Sequence, residues 1–265
     1  MASIQFENVV VDIPVFNATN RSLKNNVISA ATGGQIKPRD GGKLAVRAID
    51  GLDLTLDHGA RVGLIGHNGA GKSTILRVIA GIYEPTGGAV RVEGEVAAMF
   101  DIGFGMDPDA TGWDNIVLRG MLLGYSRREI NARLETIGEE TGLGEFLDMP
   151  LRTYSAGMST RLAFAVSTSI TPDILLIDEG IGAGDAAFIA QAKERLKRFI
   201  GDAGLLVMAS HTDSLLREWC DTGLWMEHGR LKMAGPIEDV LAAYGASTGG
   251  QGADAAPAGL EGPTI

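Results

Sequence analysis

Two different spacings of apolar residues alternate along this chain. Largely uninterrupted apolar runs occupy residues 174–177 and 205–209, and a third run at 61–65 ends at a glycine-rich loop. Such runs are typical of strands buried on both faces of a parallel sheet. At residues 74–80 and 188–199 the apolar positions follow helical spacing instead, which predicts helices. Together the two patterns predict an α/β fold with a mainly parallel sheet.

Residues 107–165 predict a helical subdomain inserted between these strands. Thr111 with Asp114, and Ser126 with Glu129, have the three-residue spacing of a capping box, which marks the start of a helix. The apolar residues that follow the second box on one helical face are Ile130, Leu134 and Ile137.

The remaining segments predict extended or irregular chain. Residues 4–16 and 44–56 have the apolar character of strands, whereas residues 17–43 are polar and predict a loop with a short helix at 22–28. Twelve of the residues 246–265 are Gly, Ala or Pro, so this segment has too little apolar surface to order itself and is predicted to be a flexible tail. We therefore expect one domain over residues 1–245.

Composition and charge narrow the class of protein. The net charge of −10 argues against a nucleic-acid partner, because phosphate contacts require a basic surface. Cys220 is the single cysteine, which excludes an internal disulfide and favours a reducing compartment. Neither a signal peptide nor an apolar stretch long enough to span a bilayer is recognisable. If the protein acts at a membrane, we expect another chain to cross it.

A phosphate-binding loop is the strongest motif. The sequence GHNGAGKST fits G-x-x-x-x-G-K-[ST] and lies between a predicted strand and a predicted helix. Its glycines allow a tight turn in which backbone N–H groups converge on phosphate oxygens. We expect Lys72 to reach the β- and γ-phosphates of ATP and Ser73 to ligate Mg²⁺. The predicted nucleotide-binding residues of this loop are Gly66, His67, Asn68, Gly69, Ala70, Gly71, Lys72, Ser73 and Thr74.

Two further strand ends carry polar residues that suit phosphoryl transfer. Asp178 and Glu179 follow the run at 174–177, so their carboxylates are expected at the edge of the sheet where ligands bind. Asp178 is then predicted to hold Mg²⁺ and Glu179 to orient or deprotonate the attacking water. His211 follows the run at 205–209 and can reach a γ-phosphate. The predicted catalytic set consists of Glu179, His211 and Lys72. His58 and His228 are interpreted as loop residues.

At this point the sequence resembles the ABC transporter ATPases. The segment YSAGMSTRLAFA, residues 154–165, is similar to the signature loop of that family, with Ser155 and Gly157 at matching positions. The resemblance, which covers about residues 2–245, implies a phosphate-loop core, an antiparallel β subdomain and an inserted helical subdomain. It also implies a homodimer, in which Ser155 and Gly157 contact the ATP held by the partner subunit. Ser155 is equally suited to cap the following helix.

Finer features resemble the Wzt-type branch, the ATPases that export O-antigen, teichoic acid, capsule and galactan polysaccharides. The stretch GDAAF at 184–188 and the polar insertion after Phe16 are similar to that branch. The resemblance places Phe16 where an aromatic ring stacks on adenine, although a core position is the alternative. Asp101 lies near the usual position of a Gln that helps to hold Mg²⁺. We therefore treat Asp101 as a candidate metal-site residue or as a residue that couples hydrolysis to transport.

Trp113 stands where the branch usually has Arg. It either packs under the helical subdomain or lies on the surface that contacts a membrane partner.

The resemblance implies a motor bound to the cytoplasmic face of a bacterial inner membrane and to a separate permease of ABC-2 type. The alternatives are a motor for a drug or a lipid, a soluble ABC protein of translation or DNA repair, and a generic phosphate-loop kinase. Direct binding of the polymer's terminal cap is not expected, because residues 246–265 lack an alternating apolar pattern and any aromatic residue.

Overall fold

The computed structural model of the chain describes residues 1–14, 36–39, 43–100, 105–169, 171–178 and 195–249. The strands in these ranges are β1 (Ser3–Pro14), β2 (Ile36–Arg39), β3 (Lys43–Asp57), β4 (Arg61–Ile65), β5 (Gly87–Glu93), β6 (Val96–Met99), β7 (Ile174–Ile177), β8 (Leu205–Ala209), β9 (Thr222–Glu227) and β10 (Arg230–Pro236). The α-helices are α1 (Lys72–Ile79), α2 (Gly112–Leu122), α3 (Arg127–Thr141), α4 (Ala156–Ser167), α5 (Asp213–Trp219) and α6 (Ile237–Gly249). Residues 195–202 are also helical.

A six-stranded sheet in the order β10-β9-β4-β8-β7-β6 forms the centre of the molecule. Within it only β10 pairs antiparallel to its neighbour among the described strands. All residues of β7 and β8 are buried, which explains their uninterrupted apolar runs. The predicted α/β fold with a mainly parallel sheet is confirmed. Because β4, β7 and β8 run in parallel, the residues that follow them lie at one edge of the sheet.

A second sheet is antiparallel and has the order β2-β3-β1-β5. In the pairing of β1 with β3, Ile13 faces Val46 and Asp12 faces Arg47. Strand β2 falls inside the segment that we predicted as a loop, so that prediction is wrong for residues 36–39. These residues gain backbone hydrogen bonds by pairing with β3, a stabilisation that their own composition does not show.

The helical subdomain begins its helices where the capping boxes predict. The Thr111 and Ser126 side chains accept hydrogen bonds from the backbone N–H groups of Asp114 and Glu129, and both boxes are reciprocal. Trp113 is half-buried and packs against the apolar cluster of this subdomain. Its Nε1–H donates to Asp148 at 3.1 Å. Trp113 thus packs in the helical subdomain, and the alternative role of contacting a membrane partner stays a prediction.

The C-terminal helix α6 continues to Gly249, so residues 246–249 of the predicted tail are helical. The remainder of that tail and the predicted short helix at 22–28 lie outside the described residues. In the described ranges, no helix combines the length and the apolar character that a membrane span requires.

Candidate functional site

The loop between β4 and α1 adopts a conformation that only glycine tolerates at two positions. Gly66 has φ of 147°, and a Cβ atom there would lie 2.3 Å from the carbonyl oxygen of Met226. Gly71 has φ of 108°, and its Cβ would lie 2.6 Å from the carbonyl oxygen of Ala48. Both distances are shorter than real carbon–oxygen contacts, so any side chain would push the loop out of place. The glycines of the motif therefore let the loop pack against β3 and β9.

Lys72 directs its ammonium group back across this loop. Its Nζ donates to the carbonyl oxygens of Gly66 at 2.6 Å and His67 at 3.2 Å, and the residue is buried. Gly71, the residue before α1, supplies no capping side chain, and the first turn of α1 contains no acidic residue. The first turn of α1 therefore supplies backbone N–H groups and the positive end of the helix dipole without an acidic residue of its own, as an anion site requires.

A pocket of about 240 Å³ opens over this loop. It unites residues from the phosphate loop with the ends of β7 and β8, as the sequence predicts. The predicted residues that line it are Asn68, Gly69, Ala70, Gly71, Lys72, Ser73, Thr74, Asp178 and His211. Gly66 and His67 do not line the pocket; their carbonyl groups instead hold the Lys72 ammonium.

His211 and Asn68 approach each other at this pocket. Nε2 of His211 lies 2.8 Å from Oδ1 of Asn68, within hydrogen-bonding distance. The contact links the segment that follows β8 to the phosphate loop and orients the imidazole. Asp178 at the end of β7 and the hydroxyl-bearing Ser73 line the same pocket. Carboxylate and hydroxyl oxygens are ligands that Mg²⁺ prefers, so these two residues fit the metal of a Mg²⁺–nucleotide complex.

Sequence reasoning missed one wall of the pocket. Ile13 of β1 and Val46 and Ala48 of β3 line it with apolar side chains. These residues look like ordinary strand positions in the sequence, and only the packing of the antiparallel sheet beside the phosphate loop brings them to the site. An apolar wall next to a phosphate cradle suits the flat base or the sugar of a nucleotide.

Ser155 and Gly157 lie at the start of α4, and among the described residues they do not line the pocket. The Ser155 hydroxyl accepts a hydrogen bond from the backbone N–H of Met158 at 3.3 Å, so it caps the helix. Tyr154 donates its hydroxyl to the carbonyl oxygen of Phe146 at 2.6 Å and is anchored in the helical subdomain. Burial raises the pKa of the Tyr154 hydroxyl, which therefore stays a donor at neutral pH. Residues 154 and 155 are thus tied by hydrogen bonds to the helical subdomain and to the start of α4.

Three predicted site residues, Phe16, Asp101 and Glu179, lie outside the described residues. Their roles stay predictions.

Comparison with known protein families agrees with this geometry. A family model described as ABC transporter matches residues 49–182, which include the phosphate loop, the signature segment and both acidic positions after β7.

Curated relatives are also similar over most of the chain. The O-antigen export system ATP-binding protein RfbE of Yersinia enterocolitica is 45% identical over 229 residues, a match that covers 86% of this chain and 96% of that protein. RfbB of Klebsiella pneumoniae, with the same description, is 38% identical over 91% of this chain and 96% of its own length. The teichoic acids export ATP-binding protein TagH of Lactococcus lactis is 34% identical over 197 residues. This match covers 74% of this chain and 42% of TagH.

Solved structures share the fold. An ATP-binding subunit of an ABC transporter superposes with a TM-score of 0.64 at 22% identity, covering 91% of this chain and 93% of that one. A dimeric ATP-binding cassette in a post-hydrolysis state, bound to ADP and Pi, superposes with a TM-score of 0.63 at 18% identity, covering 88% of this chain and 98% of that one.

Proposed function

This chain belongs to the ABC transporter family of ATPases, and on that premise we propose that it is the motor subunit of an exporter for a lipid-linked polysaccharide. The ATPase chemistry follows from the family and from the pocket that joins the phosphate loop to Asp178 and His211. The observation that carries the choice of cargo is the similarity to the O-antigen export protein RfbE, because that match covers 96% of the relative at 45% identity.

The pocket residues divide the work of binding ATP. The N–H groups of the phosphate loop and of the first turn of α1 hold the phosphate oxygens, and Lys72 adds a positive charge at the β- and γ-phosphates. Ile13, Val46 and Ala48 exclude water beside the nucleoside, where Phe16 is proposed to add an aromatic face. His211, whose Nε2 lies 2.8 Å from Oδ1 of Asn68, is proposed to contact the γ-phosphate.

Hydrolysis requires, in addition, a Mg²⁺ ion and a general base. Ser73 and Asp178 would hold Mg²⁺, with Asp101 proposed as a third residue, and the ion would neutralise charge on the phosphate oxygens. Glu179, next in sequence to Asp178, is proposed to accept the proton of the attacking water.

A second copy of the chain completes the site in this proposal. Ser155 and Gly157 are at the start of α4 and not in the chain's own pocket. A helix start presents free backbone N–H groups, which are suited to bind the γ-phosphate held by another subunit. The proposed complex is therefore a homodimer on the cytoplasmic face of the inner membrane, joined to an integral permease of ABC-2 type.

Deletion of the gene in its native host tests the cargo. We expect the finished lipid-linked polysaccharide to accumulate inside the cell and to disappear from the surface. The wild-type chain should restore export, whereas Lys72→Ala, produced at the same level, should not. An unchanged surface polysaccharide, combined with a defect in drug or lipid export, would assign the motor to another cargo. Purification of the chain with its membrane partner then identifies the permease.

A further inference from the structure

One carboxylate, that of Asp50 in β3, is shared by two arginines from different sheets. Nη1 of Arg47, also in β3, donates to Oδ1 of Asp50 at 2.8 Å. Nε and Nη2 of Arg230, in β10, donate to Oδ2 at 3.0 and 2.7 Å. Arg47 makes a second, bidentate pair with Asp12 of β1, at 2.8 and 3.1 Å. We call these four residues, Asp12, Arg47, Asp50 and Arg230, the Asp50 network.

The inner members of this network are shielded from solvent. The side chains of Asp12 and Asp50 are each 18% exposed, and that of Arg47 is 24% exposed. Bidentate, charge-assisted hydrogen bonds in such a setting are stronger and less screened by salt than surface ion pairs. The hydrogen bond with Asp12, followed by that with Asp50, raises the pKa of Arg47 further above its ordinary value. The Arg47 guanidinium therefore keeps its charge over the whole range of physiological pH.

The backbone beneath the network reaches the phosphate loop. The N–H of Asp50 donates to the carbonyl oxygen of Gly229 at 2.9 Å, and the N–H of Gly229 donates to the carbonyl oxygen of Ala70 at 3.0 Å. Gly229 has φ of 77°, and a Cβ there would lie 2.8 Å from the carbonyl oxygen of Ala48. The turn between β9 and β10 is thus packed between β3 and the phosphate loop.

The same network borders the apolar wall of the pocket. The pair Asp12 and Arg47 is the immediate neighbour of the pair Ile13 and Val46 in the register of β1 and β3. Any shift of β1 and β3 relative to β10 would therefore move the apolar wall relative to the phosphate loop. The Arg230 side chain crosses from the central sheet to Asp50 of β3 and so opposes such a shift.

We propose that the Asp50 network is a positioning device for nucleotide recognition, which holds the apolar wall at a fixed place relative to the phosphate loop. A nucleoside triphosphate contacts both parts at once, so its affinity depends on their being preorganised together. A ligand with phosphates alone contacts only the loop. The network consequently sets how much the base and sugar add to the affinity of the triphosphate.

The test compares two probes, Mg²⁺–ATP and Mg²⁺–tripolyphosphate, on the full-length protein. Arg230→Gln is the main variant, because the Arg230 side chain is 71% exposed and its replacement leaves the core intact. We expect its affinity for ATP to fall about fivefold, as for loss of one coupled charge-assisted pair, while the affinity for tripolyphosphate stays within about twofold. KM for ATP should rise with kcat nearly unchanged. Arg230→Lys should recover part of the loss, and Asp50→Asn should reproduce it.

Lys232→Gln provides the matched control. Lys232 lies on the same strand as Arg230, but its ion pair with Glu227 at 2.9 Å stays within the hairpin of β9 and β10. We expect it to leave both affinities unchanged. Equal losses of ATP and tripolyphosphate binding in Arg230→Gln, or no loss of either, would overturn the positioning role. Absence of ATP hydrolysis in the wild-type protein would instead contradict the proposed function, whatever the ratio of the two affinities.

Discussion

Nε2 of His211 lies 2.8 Å from Oδ1 of Asn68, although the two residues are 143 positions apart in the chain. The contact joins the end of β8 to the phosphate loop, and both side chains line the nucleotide pocket. A histidine that is held at one ring nitrogen presents a defined face to its surroundings. Because His211 is held in the pocket in this way, we expect its substitution to change the rate of ATP hydrolysis.

We expect His211→Ala to lower kcat by about 10²-fold, the usual effect of removing one group that stabilises charge in the transition state, and to change ATP affinity by less than about threefold. Asn68→Ala should also lower kcat, but by a smaller factor, because it removes only the contact that orients His211. Steady-state ATPase assays with a separate nucleotide-binding measurement distinguish the two parameters. His58→Ala is the control, since His58 precedes β4 at the opposite end of the sheet. Loss of ATP affinity with unchanged kcat in His211→Ala would assign His211 to binding alone.

Glu179→Gln tests the proposed general base. Glu179 follows Asp178, which lines the pocket at the end of β7. The amide cannot accept the proton of the attacking water, so turnover should fall by about 10²-fold or more while ATP binding persists. A stable ATP-bound dimer should accumulate, visible by size-exclusion chromatography with ATP. Glu238→Gln, on α6, is the control and should behave as wild type. Turnover close to wild type in Glu179→Gln would remove Glu179 from the mechanism.

The elements that could be predicted from sequence are those whose signal is local. The runs that form β7 and β8, the capping boxes at Thr111 and Ser126, and the glycine-rich loop each carry their own physical reason within a few residues. A strand that is buried on both faces, a helix with a side-chain cap and a loop with left-handed backbone each require particular residue types within a few positions of the sequence. For the same reason most residues of the phosphate loop that line the pocket could be named from the sequence, whereas their contacts with a nucleotide stay predictions.

What could not be predicted depends on contacts between distant segments. Asp50 and Arg230 are 180 positions apart and meet only because the two sheets pack beside each other. Ile13 and Val46 have no feature that separates them from other strand residues until the register of β1 and β3 places both in the pocket. Strand β2 likewise depends on its partner β3 and not on its own composition.

The single cysteine gives a prediction about pH. Burial, followed by the nearby charge of Asp221, raises the pKa of the Cys220 thiol from 9.0 to about 12. At pH 8 the native thiol should therefore react with a disulfide reagent far more slowly than the thiol of the chain in guanidinium chloride. Between pH 9.0 and about 12 the unfolded chain loses this proton while the native state keeps it, so the Cys220 contribution to stability should fall as pH rises. Urea unfolding at several pH values measures the free energy of unfolding of the wild type and of Cys220→Ala. A stability of the wild type that rises with pH relative to that of Cys220→Ala would contradict the raised pKa.

The proposed sharing of sites between two chains is tested by mixing two inactive variants. Lys72→Ala disables the phosphate loop of its own chain, and Ser155→Arg places a bulky cation where the partner's γ-phosphate would lie. Each homodimer then contains two damaged sites, whereas a mixed dimer contains one site built from an intact phosphate loop and an intact signature loop. ATPase activity should therefore appear on mixing. Each mixed dimer should reach at most about half the activity of an intact dimer, since only one of its two sites is complete.

The capping role of Ser155 must be separated from this effect, because its hydroxyl accepts the Met158 N–H in the single chain. Ser126 caps α3 with the same type of hydrogen bond on the same subdomain, so Ser126→Arg is the matched control. Loss of a cap costs about 1 kcal/mol of stability, and both serine variants should show a similar drop in Tm. Only Ser155→Arg should abolish hydrolysis, and only its activity should be restored by the Lys72→Ala chain. Full activity of the Ser155→Arg homodimer, with the same drop in Tm, would limit Ser155 to capping α4 and would leave the dimeric site without its signature-loop contact.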